Sequence, residues 1–200
     1  MRTVLVTLLA VLLLSIAGAF TFIYAGVYDV AANRPHWPIT YWAMETVRKQ
    51  SVKMRASDIA PPPDLTSDAR VLAGTEHYAA HCASCHGAPG VPRSGLGERL
   101  YPLPADITRA ADRYTPGQLF WILKNGIKMS GMPSWMDHSD DELWATVGFL
   151  ERLPTMQEAD YANLVMTGMA RGGGRHGHDM QGMDHGTTSG MQETSGPHQH

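Results

Sequence analysis

Twenty-five consecutive residues without a charge, Val4 to Tyr28, impose the first constraint on this chain. As one helix rising ~1.5 Å per residue they would reach about 37 Å, enough to cross a bilayer core of about 30 Å. Arg2 precedes the run and Asp29 ends it, a weak charge bias that favours a cytoplasmic N-terminus. A cleaved signal peptide is the competing reading, because Ala17-Gly18-Ala19 offers a small-x-small site after the apolar run Val4 to Leu14. Against cleavage, Phe20 to Tyr24 continues apolar past that site, where a mature chain normally turns polar. Residues 1–28 are therefore read as a retained transmembrane anchor; either reading exports the rest of the chain.

The other end is constrained by composition. Gly168 to His200 holds nine glycines, five of the chain's ten histidines and four of its twelve methionines. Such a segment has too little apolar surface to bury, so residues 161–200 are expected to be a disordered tail. A net charge of -3 shows none of the basic excess of a nucleic-acid-binding protein. Two cysteines, three apart, exclude a disulfide-stapled scaffold.

Between these ends the chain reads as all-α. A helix is expected from about Thr40 to Ala56, with Met44, Val47, Ser51 and Met54 on one face and Arg48, Lys49, Lys53 and Arg55 supplying a basic one. Pro61-Pro62-Pro63 then marks a stiff linker, so residues 29–63 form a juxtamembrane helix and linker. Residues 64–160 form the domain. Ser67 or Asp68 caps a helix running to about Cys82, and Thr115-Pro116 opens a second that Gly126 closes. Ser139 starts a third, with Leu143, Val147, Leu150 and Leu153 near one face, and Pro154 stops it. The Gly- and Pro-rich stretch from Gly87 to Thr108 is expected to be an irregular loop. So thin a helical core usually needs a staple, a metal or a cofactor.

The run Cys82-Ala83-Ser84-Cys85-His86 supplies one. A C-x-x-C-H sequence is the attachment signature of c-type haem: both thiols add across vinyl groups as thioethers, and the adjacent imidazole faces the iron. A dithiol redox motif would expect a βαβ setting, and a zinc site would need more ligands at matching spacing. A sixth iron ligand is sought among Met129, Met132 and Met136. Met132, in Gly-Met-Pro just past the Gly126 helix stop, sits on a loop able to fold back over the ring.

Taken in order, C-A-S-C-H-G, N-G-I-K-M-S-G-M-P-S-W and S-D-D-E-L-W-A-T-V-G-F-L resemble class I cytochrome c over roughly Asp68 to Leu153. The resemblance implies haem thioethers at Cys82 and Cys85, a proximal ligand at His86 and a distal one at Met132. It also implies that Gly74 permits close crossing by the C-terminal helix, on which Trp144 and Gly148 lie. Pro89 or a neighbouring carbonyl would hold the free nitrogen of His86. His77 and His81, at i and i+4, share a helix face that could bind a metal, but they are read as surface or packing residues. The leading segment from Gly26 to Trp42 looks like the extension of membrane-anchored monohaem cytochromes.

In the tail, His176, His178, Met180, Met183 and His185 offer nitrogen and thioether donors suited to copper. The function implied is a membrane-tethered periplasmic carrier of single electrons between a redox donor and acceptor. Its haem domain would lie outside a bacterial inner membrane, with no small-molecule substrate at the iron. Two alternatives are a haem c subunit of a dehydrogenase or oxidase complex, and a copper-linked redox protein; a peroxidase-like enzyme is the weaker fourth.

Overall fold

The computed structural model describes residues 1–172. Sixty per cent of the described residues are helical, and no strand forms among them. The elements are α1 (Arg2–Tyr24), α2 (Pro38–Arg55), α3 (Asp68–His81), α4 (Ala83–His86), α5 (Pro116–Asn125), α6 (Asp140–Arg152) and α7 (Glu158–Gly172). The Gly87–Thr108 stretch is irregular, as expected, with one isolated bridge between Ala88 and Val91 and a 3-10 turn at Gly97–Arg99.

α1 is the apolar helix anticipated at the N-terminus. None of it is buried, and it is long and apolar enough to cross a membrane. It ends at Tyr24 rather than Tyr28, because Gly26 turns the chain with φ +63°. α2 packs on the domain. Val52 is 1% exposed, and Arg48, paired with Glu45, donates to the Tyr114 hydroxyl at 2.5 Å.

Capping explains where the domain helices begin. The Ser67 hydroxyl accepts from the Arg70 N–H, while Thr115 with Gln118 and Ser139 with Glu142 form complete capping boxes. α6 lies at the centre of the core: Leu143, Val147 and Leu150, with Leu153 in the turn that follows, are all buried, as their spacing predicts. It crosses α3 at Gly74, where any Cβ would overlap the Ala145 carbonyl.

One boundary differs from the sequence reading. The chain does not lose structure at residue 161: α7 continues to Gly172 along α3. Tyr161 is 5% exposed and stands 6.1 Å from the Phe149 ring, with Val165 packed beside it. The Asp160 carboxylate accepts from the Gln157 N–H and steadies the first turn. Tyr161, Val165 and Gly168 recur at helical spacing, a signal hidden by the glycines that follow. Residues 173–200, with the copper candidates His176, His178, Met180, Met183 and His185, lie outside the described residues.

Candidate functional site

α3 hands over to α4 at Cys82. Its N–H still bonds to the Tyr78 carbonyl, while its own carbonyl accepts from Cys85 and His86 at 3.1 and 2.9 Å. One tight turn therefore carries Cys82, Cys85 and His86, and Gly87 ends it with φ +74°. Cys82 sits in the core at 7% exposure, and Cys85 is half-buried. Burial, reinforced by Cys85, pushes the Cys82 thiol up to about 12.

His86 is aimed by its backbone partner. Its Nδ1 lies 2.9 Å from the Ala105 carbonyl oxygen. A carbonyl only accepts, so Nδ1 carries the hydrogen and Nε2 keeps a lone pair free for a metal. Burial lowers the His86 pKa, with the Ala105 bond opposing and Arg93 adding to the fall, so the imidazole is neutral at pH 7. The partner is Ala105, not Pro89: the irregular loop folds back and delivers a carbonyl 19 residues downstream, a distance that local spacing does not reveal.

Tyr78 secures the same turn. Its ring is 1% exposed, and its hydroxyl donates to the Gly87 carbonyl at 2.5 Å. Tyr78→Phe leaves that carbonyl buried without its partner, at a cost of about 1–3 kcal/mol. A lower denaturant midpoint at unchanged slope is the expected result. An unchanged midpoint would show that the hydroxyl does not hold the turn.

Met132 is held by the loop after α5. Gly126 closes that helix with φ +64°, and a Cβ there would meet the Pro133 backbone at 2.6 Å, so only glycine lets the loop pass so closely. The Trp135 N–H bonds to the Leu123 carbonyl at 3.2 Å, and the Ser134 hydroxyl donates to the Lys124 carbonyl at 2.8 Å. Ile127 donates to the Met132 carbonyl at 3.2 Å. The loop thus satisfies the orphan carbonyls of α5 while fixing its own shape. Of the three candidate methionines, Met132 is half-buried against the core, whereas Met129 and Met136 are 78% and 73% exposed.

The structure also brings together residues that spacing did not connect. His77 and His81 meet His138 from the turn before α6. Burial, then His81 and His138, hold His77 down at about 4. At the N-terminal side, Tyr101 accepts the His36 N–H at 2.6 Å, docking the leading segment onto the irregular loop. Lys124, in the last turn of α5, pairs with Asp140 at 2.6 Å.

A family model described as cytochrome c oxidase, cbb3-type, subunit III matches residues 69–150. The chain carries a c-type cytochrome domain. The match spans the same α3-to-α6 unit, and a cytochrome c domain implies a covalent haem c and redox partners. No curated protein and no solved structure matches. The donor set of the cytochrome domain fits such a group: two thiols and an oriented neutral imidazole on one turn, and a thioether on a pinned loop.

Proposed function

We propose that this cytochrome holds one haem c, with thioethers to Cys82 and Cys85 and axial ligands His86 and Met132, and passes single electrons between redox partners. The observation that carries the reading is the pairing of an imidazole aimed through Ala105 with a thioether held half-buried by a loop tied to α5. When bound, haem supplies a one-electron iron couple. Ala105 keeps the His86 ring in one orientation and strengthens its donor nitrogen. The soft Met132 sulfur favours the reduced state and, with His86, leaves no coordination position for a substrate.

The exposed apolar α1 supports anchoring in the bacterial inner membrane, with the cytochrome domain in the periplasm and the N-terminus in the cytoplasm. Intact mass of protein extracted from membranes is expected to correspond to a chain beginning at or next to Met1. A chain beginning at Phe20 would show that α1 is removed.

Residues 64–160 contain 13 acidic and 8 basic residues, a net charge of 8 − 13 = −5. An acidic carrier favours partners with a basic docking patch, steered by fields that salt screens. Its rate of electron exchange with the partner should fall as ionic strength rises; a flat or rising profile contradicts charge steering. The name of the matching family favours a second reading, a haem subunit of an oxidase complex. Purification in mild detergent distinguishes them: a lone carrier leaves the column as a single chain, a subunit with its complex.

A further inference from the structure

We propose that His77, His81 and His138 form a three-histidine site for a divalent transition-metal ion of the zinc or copper class, separate from the haem ligands. The potential ligand atoms of the three all lie within 4.8 Å of one another. His77 and His81 stand one turn apart on α3, with ring centroids 4.8 Å apart, and His138 approaches His77 equally closely. Three imidazoles without a carboxylate are a donor set for zinc, copper or nickel rather than for magnesium or calcium.

Hydrogen bonding sets the tautomer of His77. Thr146, fully buried, donates its hydroxyl hydrogen to the Glu142 carbonyl at 3.0 Å. Its oxygen, 2.9 Å from His77 Nδ1, is then an acceptor, so Nδ1 carries the proton. The Nε2 lone pair is left pointing at His138 Nδ1, 3.1 Å away. This is the outer-shell arrangement that orients a metal-binding histidine. Two nitrogens at about 2.0–2.1 Å from one tetrahedral ion stand about 3.3–3.4 Å apart, so the pair needs to open only slightly. On binding, His138 moves its proton from Nδ1 to Nε2, and no charge is left behind.

The surroundings suit an exchangeable ion. Trp135 walls one side, with its ring 5.2 Å from His81 and 5.3 Å from His138. His81 is exposed, so solvent reaches the ion and supplies the fourth ligand. A bound ion would tie α3, just ahead of Cys82, to the segment that follows Met132.

The test uses the full-length, haem-loaded protein with His176, His178, His185, His198 and His200 changed to Gln, which removes the tail's histidines. Titration with Zn2+ against a chelator should find one tight equivalent. Thr146→Val should weaken it about 10- to 100-fold. His138→Ala and His81→Ala should weaken it at least as much. His81 is exposed, so its variant keeps the fold and decides the question should His138→Ala unfold. Zinc should also raise the melting temperature of the parent but not of His81→Ala. No tight equivalent, or one that survives His81→Ala, would reduce the cluster to a hydrogen-bonded packing motif.

Discussion

Gly74→Ala is expected to destabilise the cytochrome domain, although alanine is the better helix former. On an exposed helix this exchange gains about 1 kcal/mol. At Gly74 the added Cβ falls on the Ala145 carbonyl and within 3.0 Å of the Phe149 Cβ, and the main obstacle is backbone, which cannot rotate away. α3 and α6 must separate, disturbing Tyr78, Val147 and Phe149, all buried at their interface. Overpacking of this kind costs about 1–3 kcal/mol and occasionally more. The helix-propensity gain offsets only part of that. Against a typical domain stability of about 5–15 kcal/mol, the loss is large enough to read directly in a denaturant midpoint. A higher midpoint for Gly74→Ala would mean that the helices do not touch here.

Met132→Ala is the second large effect, and it acts on the electronic state rather than the fold. The loop from Gly126 to Trp135 is held by main-chain bonds to Leu123 and Ile122 and by the Ser134 hydroxyl, none of which involves the methionine side chain. Removing the thioether should therefore leave the helices intact. The ferric spectrum is expected to lose the Met-to-iron band near its red edge. Axial ligands set haem potentials over about 0.8 V, and replacing soft sulfur by water or a harder donor should lower this one by roughly 0.1 V or more. Met129→Ala serves as the control, since Met129 is exposed and stands on the left-handed residue of the loop. Loss of the band in Met129→Ala but not in Met132→Ala would assign the ligand to the wrong side of the loop.

Most of the helical frame is legible because its signals are local. Ser67, Thr115 and Ser139 cap helices within three residues of themselves, and α6 shows its buried face as a regular spacing of leucines and valine. The Cys82-to-His86 turn is legible for the same reason. Contacts between distant residues are not. Nothing near His86 names Ala105 as its partner, and nothing near His77 names His138 or Thr146, which lie 61 and 69 residues away. α7 was hidden differently: Tyr161 and Val165 have the right period, but glycines on its far side blur a helix that exists mainly because α3 offers a surface to cover.

If Cys82 and Cys85 hold one haem covalently, the haem survives unfolding of the chain. The purified chain is run on a denaturing gel and stained for haem, and a parallel sample is extracted with acidified organic solvent. Covalent attachment predicts a stained band at the position of the full chain, one haem per chain by mass, and no haem in the extract. It further predicts that the double variant Cys82→Ser, Cys85→Ser loses the stain. An extract containing the haem, or a stain that persists in the double variant, would contradict it.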